Sequence, residues 1–319
     1  MAVLSAGAIL LSGCGSDSGD VPGDPSATAQ TSVAESAASS TDVSGKVTKK
    51  RVQYYTGADA DPDQNWADLY LPAGDHRPGS IPLVVLIHGG AWRMPLGAEI
   101  FNDLAEDIAA RGMAVYNVEY RRVGAGGGWP ATFHDVARAL DHVTELNREH
   151  PEFTVDDELV VGHSAGAQLA TWAGTRHKRA DDEVGSKPAF RPKRAISLAG
   201  PLDMTQAVKD GDDRIVAALG GTPEEQPDRY KMVDPIQNLD PEIPVAAVHG
   251  TADRVVFPHN STRYVSALNA RGGHGRLLIF DGEDHGSIVK RGTDPYNQIL
   301  DLVSEFADTP IEKIKQGGR

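Results

Sequence analysis

From residue 51 to about residue 310, short apolar runs alternate with stretches of helical period, and that alternation limits the fold more than any other feature of the chain. Ile81–Ile87 is a continuous apolar run centred on Val84 and Val85. A run apolar at every position suits a strand covered on both faces. Val52–Tyr55, Trp66–Leu71, Ala114–Val118, Glu158–Val161, Arg194–Leu198, Val245–Val248 and Leu277–Phe280 read as further strands. Between them, Glu99–Arg111 places Ile100, Leu104 and Ile108 at helical spacing, and Thr132–His150 does the same with Val136, Leu140, Val143 and Leu146. Ala165–Thr175, Pro258–Ala270 and Pro295–Ala307 are the other long helices. Strands alternating with helices predict an α/β fold, a mostly parallel central sheet of about eight strands flanked by helices on both faces. Gly200 to Pro244 breaks the rhythm with many prolines and one candidate helix, Asp213–Leu219, and is read as a small cap. Lys178–Lys193 is charged and irregular, a surface loop.

Two strand ends carry chemistry. Glu158–Val161 runs into Gly162-His163-Ser164-Ala165-Gly166 and then into the Ala-rich helix. A serine between glycines on a strand-to-helix turn is raised above the sheet, with the free N–H groups and positive end of the helix beside it. Ser164 is the predicted nucleophile. Ile81–Ile87 runs into His88-Gly89-Gly90-Ala91-Trp92, where glycines let the backbone fold back and aim N–H groups at a reacting oxygen. The backbone donors expected to form an oxyanion hole are Gly90, Ala91 and Ala165.

These two segments, His-Gly-Gly-Ala-Trp and Gly-His-Ser-Ala-Gly-Ala-Gln-Leu-Ala, resemble the α/β-hydrolase superfamily. Within that superfamily they look like the esterase/lipase branch that includes feruloyl and acetyl esterases and kynurenine formamidases. Tyr120-Arg121, Gly128-Trp129-Pro130 and Asp135 are similar to that branch too, and the resemblance spans about residues 65 to 307. It implies a serine hydrolase fold with triad members in the order Ser, Asp, His. His249-Gly250-Thr251-Ala252-Asp253-Arg254-Val255-Val256 is similar to the family's acid segment and implies Asp253. Asp281-Gly282-Glu283-Asp284-His285-Gly286 follows the last strand and implies His285 as the base. Asp284 is the rival acid, set aside because adjacent residues rarely face each other as the chemistry needs. His88, His163 and His249 are read as supports of turns or strand ends. His142, His150 and His274 are read as surface residues. No metal and no organic cofactor is implied.

The net charge of −14 and a pI near 5.2 repel phosphate backbones and argue against a nucleic-acid partner. No apolar run is long enough to span a bilayer as a helix. The one cysteine, Cys14, closes Leu11-Ser12-Gly13-Cys14 after the apolar run Ala2–Leu11, which resembles the lipobox of bacterial lipoproteins. That resemblance implies a signal peptide over residues 1–13, lipidation of Cys14, and an extracytoplasmic protein held at the cell membrane, or secreted if the anchor is not used. No Lys or Arg precedes the apolar run, a departure from the usual signal pattern. Residues 14–50, rich in Ser, Asp, Ala, Thr and Gly, read as a disordered tether. The catalytic domain is assigned to residues 51–310 and a polar C-terminal tail to 311–319.

The expected activity is hydrolysis of carboxylic esters, with short-chain or aryl esters favoured because neither the cap nor the charged loop is large or apolar enough to cover a long acyl chain. Two alternatives stand beside it. One is an amide hydrolase, an arylformamidase or a peptidase, on the same three residues. The other is a non-catalytic binding protein on a hydrolase scaffold.

Overall fold

The computed structural model describes residues 47–317. The predicted signal peptide, Cys14 and most of the predicted tether lie outside the described residues.

Among the described residues, eight strands form one sheet. They are β1 (Thr48–Gln53), β2 (Trp66–Leu71), β3 (Ile81–Ile87), β4 (Ala114–Val118), β5 (Phe153–His163), β6 (Arg194–Leu198), β7 (Val245–Gly250) and β8 (Gly275–Phe280). Their spatial order is β1-β2-β4-β3-β5-β6-β7-β8. β1 and β2 are antiparallel to their neighbours, and every pairing from β4 to β8 is parallel. This is the mostly parallel sheet that the alternation predicts. β3 lies between β4 and β5, so the chain leaves β3 on one side and returns on the other. In open α/β sheets, that switch point opens a crevice beyond the carboxyl ends of the strands. Both motif-bearing turns leave the sheet there.

The central strands are apolar throughout because the sheet is covered on both faces. Leu83, Val85 and Ile87 of β3 pack in one buried cluster, while Val84 and Leu86 pack in the other. The second face is covered by α1 (Asn102–Ala110), through Leu104 and Ile108, and by α9 (Asp294–Asp308), through Ile299, Leu302 and Val303. The first face is covered by α2 (Ala131–Asp141), α3 (Val143–Glu149), α4 (Ala165–Thr175) and α8 (His259–Ala270). The predicted cap region contributes three short helices, α5 (Met204–Lys209), α6 (Asp213–Leu219) and α7 (Pro227–Val233), whose Ile215, Leu219 and Val233 join that first cluster.

Several boundaries differ from the sequence expectation. The predicted helix over Thr132–His150 is two helices, broken at His142. β1 begins at Thr48, inside the segment read as tether. Its sequence, Thr-Lys-Lys-Arg-Val-Gln, shows no apolar alternation because it is a mostly exposed edge strand. It is held by the ladder to β2 and by Lys49 and Arg51, each 2.8 Å from the buried carboxylate of Asp68. The predicted polar tail holds a helix, α10 (Ile311–Gly317), with Ile314 against the second core cluster and Lys315 3.2 Å from Glu242. His142, His150 and His274 are half-buried rather than exposed. His150, for one, stacks on Phe153 at 5.1 Å and pairs with Glu152.

Candidate active site

Ser164 occupies the turn between β5 and α4 with φ 56° and ψ −123°, a backbone conformation that costs energy for a residue with a Cβ. The turn survives because its surroundings fix it. Ser164 N–H donates to the Leu198 carbonyl at 2.8 Å, and the Ser164 carbonyl accepts from Ala167 N–H at 3.0 Å. The flanking glycines are required by close approach. A Cβ on Gly162 would collide with the Gly166 carbonyl, and one on Gly166 would collide with the carbonyls of Ile87 and His88. The motif therefore packs β5, α4 and the end of β3 backbone against backbone.

The loops after β7 and β8 bring the other two predicted residues to this turn. His285 Nε2 lies 2.8 Å from Ser164 Oγ, and His285 Nδ1 lies 2.7 Å from Asp253 Oδ2. Asp253 is fully buried. Burial opposes its charge, but hydrogen bonds from His249 and His285, with the Val256 N–H, hold its carboxyl well below the usual carboxylate range. An ionised carboxylate only accepts, so the facing Nδ1 carries the hydrogen. In the neutral ring, Nε2 is then the acceptor and Ser164 O–H donates to it. Asp253 Oδ1 is separately fixed by the N–H groups of Val255 and Val256, at 2.8 and 3.0 Å. Asp284, the rival acid, is engaged by its own turn, and the ring's Nδ1 faces Asp253 instead. Asp284 Oδ1 accepts from the N–H groups of Gly286 and Ser287 at 2.9 and 2.8 Å.

The His88–Trp92 loop lies over the same turn. Gly90, Ala91 and Trp92 all have positive φ, at 104°, 59° and 55°. A Cβ on Gly89 would stand 3.0 Å from Ser164 Cβ. No hydrogen bond among the described residues engages the backbone N–H of Gly90, Ala91 or Ala165, and Gly90 and Ala91 line the cleft beside Ser164. The loop is braced from below. His88 stacks on Tyr120 at 4.3 Å and lies 3.0 Å from Glu119 Oε1, while Tyr120 O–H donates to the His88 carbonyl at 2.9 Å. Trp92 Nε1–H donates to Gln168 Oε1 at 3.2 Å, tying the loop to α4. The Tyr120-Arg121 and Asp135 positions form a second brace, with both Arg121 side-chain bonds to the Asp135 carboxylate at 2.7 Å.

The residues that line the cleft escaped sequence reasoning. The cleft over Ser164 has a volume of about 360 Å³, and its walls include Met94, Leu96, Ile100, Val255, Arg93 and Arg214. Among the described residues five large apolar side chains are exposed, and four of them, at 39–47% exposure, are Met94, Leu96, Ile100 and Val255. Apolar surface gathered at one hollow and little elsewhere marks a binding wall. The remaining signal in the sequence is weak, apolar residues in a Pro-containing loop after the Gly-Gly turn. Among the described residues, no group of three or more His, Cys, Asp or Glu side chains could hold a metal ion, and no helix is long and apolar enough to cross a membrane.

Comparison with known proteins adds relatives to this geometry. The BD-FAE family model matches residues 67–268. Isoprenylcysteine alpha-carbonyl methylesterase ICME of Arabidopsis thaliana is 25% identical over 243 residues, covering 70% of this chain and 54% of that protein. A kynurenine formamidase of Meyerozyma guilliermondii is 31% identical over 97 residues, 30% of this chain and 34% of that protein. The chain thus spans about half the length, or less, of these curated relatives. Among solved structures, a truncated carbohydrate esterase from gut microbiota superposes with a TM-score of 0.69 at 21% identity, covering 82% of this chain and 97% of that one. At that identity the superposition speaks for the fold, which is the α/β-hydrolase fold.

Proposed function

This chain belongs to the BD-FAE family, and from that premise we propose that it is a serine carboxylesterase acting through Ser164, His285 and Asp253. One observation carries the proposal: His285 stands between Ser164 Oγ, at 2.8 Å, and the buried Asp253 carboxylate, at 2.7 Å. Nucleophile, base and orienting acid need that chain of contacts. Ser164 Oγ attacks the ester carbonyl carbon as its proton passes to His285 Nε2. Asp253 holds the tautomer and stabilises the imidazolium. The N–H groups of Gly90, Ala91 and Ala165 receive the oxyanion. The bond to the alcohol breaks as His285 returns the proton, leaving an acyl-serine. Water, deprotonated by the same imidazole, then releases the acid. No step calls on a metal or an organic cofactor.

The cleft favours short-chain or aryl esters. Its volume of about 360 Å³ lies at the small end of ligand pockets. Its apolar wall suits a compact apolar group. A second reading, amide hydrolysis on the same triad, draws support from the kynurenine formamidase relative. The lipobox-like segment ending in Cys14 supports attachment to a membrane, and a Cys14→Ser variant is expected to leave the membrane fraction.

Ser164→Ala is expected to lose on the order of 10⁶ in kcat. The test is turnover of a p-nitrophenyl ester series of rising acyl length, run beside N-formylkynurenine. Retained turnover by Ser164→Ala sinks the nucleophile assignment. Faster turnover of the formamide than of any ester gives the amide reading precedence. Failure of the wild-type protein to react with a fluorophosphonate favours the reading as a non-catalytic binding protein.

A further inference from the structure

Building on the triad proposed above, we infer that His163, the residue preceding Ser164, is a positioning residue that holds the base in place through a hydrogen bond to the base's own backbone. His163 Nε2 lies 2.8 Å from the His285 carbonyl. A carbonyl only accepts, so Nε2 carries the hydrogen and donates. This is the one hydrogen bond made by the His285 backbone among the described residues.

The need for such an anchor follows from the loop. His285 is half-buried in a segment whose Asp281, Gly282, Asp284 and Gly286 are exposed. Its other ties lie to either side. Ala252 N–H donates to the Glu283 carbonyl at 2.9 Å, and Asp284 caps its own turn through Gly286 and Ser287. None reaches the backbone of residue 285. Asp253 orients the ring, but the ring can meet Ser164 only if its Cα is fixed as well.

His163 is suited to fix it. It is the last residue of β5, paired with Leu198 of β6, and it directly precedes Ser164. Its side chain is buried, edge-on to Phe101 at 6.1 Å and 4.8 Å from the His285 ring between centroids. One rigid strand end thus sets both the nucleophile and the anchor of the base. A charged ring at 163 would repel the imidazolium that forms at 285. Burial, then the neighbouring His285, push His163 down to about 3, so it donates as a neutral ring.

The test uses the full chain with His163→Leu, His163→Asn and His163→Gln beside Ser164→Ala and a short-chain p-nitrophenyl ester. Gln places an N–H near the position of Nε2, whereas Asn is too short and Leu has no donor. A misplacement of about 1 Å costs roughly 10² in rate. Leu and Asn are therefore expected to lose about 10² in kcat with KM within about twofold, and Gln to recover most of the loss. His163 also borders the cleft, so a role as wall alone would move KM instead. Thermal unfolding midpoints identify any variant that fails to fold, and the Gln-against-Asn comparison stands without the Leu variant. Full kcat in Leu and Asn overturns the inference, as does equal loss in Gln and Asn. The triad proposal fails separately, if Ser164→Ala stays active.

Discussion

Replacing Asp253 by Asn changes one atom, and the surrounding bonds determine which atom is exchanged. Asp253 Oδ1 accepts from Val255 and Val256 N–H groups at 2.8 and 3.0 Å, so the Asn oxygen is retained there. The new NH₂ then takes the place of Oδ2, 2.7 Å from His285 Nδ1. It donates to that nitrogen and forces the hydrogen of the neutral ring onto Nε2. Nε2 now points a hydrogen at Ser164 Oγ and cannot take its proton. In the general Ser-His-Asp template this error of tautomer drops kcat by about 10⁴. At 1.36 kcal/mol per factor of ten, that is about 5.4 kcal/mol of transition-state stabilisation. The assay is steady-state hydrolysis of p-nitrophenyl acetate by Asp253→Asn and Asp284→Asn, each checked for folding by circular dichroism. Asp284 is bonded to its own turn, so its variant is expected to stay within about tenfold of wild type. A loss below about 30-fold in Asp253→Asn, or an equal loss in Asp284→Asn, would refute the assignment of the acid.

Gly162→Ala drives a methyl group into the Gly166 carbonyl, and soluble expression with wild-type activity would show that the elbow has slack the structure denies it. Leu96→Gln puts a polar end on the exposed apolar wall of the cleft; loss of partial burial worth about 1 kcal/mol predicts a roughly fivefold fall in kcat/KM for p-nitrophenyl benzoate and little change for p-nitrophenyl acetate. The depressed Asp253 carboxyl also makes a statement about stability. Because its folded value lies below its unfolded value, it stabilises the fold above about pH 4, and that contribution disappears as pH falls through the folded value. Urea unfolding of wild type against Asp253→Asn should therefore show a gap that narrows from pH 6 to pH 3, and a gap that stays constant would mean that the carboxylate is not stabilised by its partners.

The sheet and the meeting of Ser164, Asp253 and His285 were legible because each depends on a strand whose residues are buried on both faces. Val84 and Val85 face opposite clusters, so the chain must be apolar at both, and the run announces itself. Ser164, Asp253 and His285 follow β5, β7 and β8 at the same edge of the sheet, so locating the strands nearly located the site. The elements that escaped are those held by something other than burial. β1 is fixed by its ladder and by cations around Asp68, and α10 by a few contacts of a mostly polar segment; neither leaves an apolar period to read.

The same distinction separates the reaction from its selectivity. The atoms proposed to react are set by backbone geometry at strand ends, where a forbidden Cβ leaves a glycine in the sequence, as at Gly162 and Gly166. The cleft wall is assembled from Met94 and Leu96 after one turn, Ile100 just ahead of α1, Arg214 from α6 and Val255 two residues after Asp253. These positions share no strand, helix face or spacing, so no period links them before the chain is folded. Their exposure is the trace they leave, and it appears only in three dimensions. Substitutions there should retune substrate choice while Ser164, His285 and Asp253 keep their distances, because no wall side chain among them bonds to a triad side chain. Leu96→Gln combined with an unchanged rate of fluorophosphonate labelling would show that independence directly. A labelling rate that falls with kcat/KM would mean that the wall also holds the triad in place.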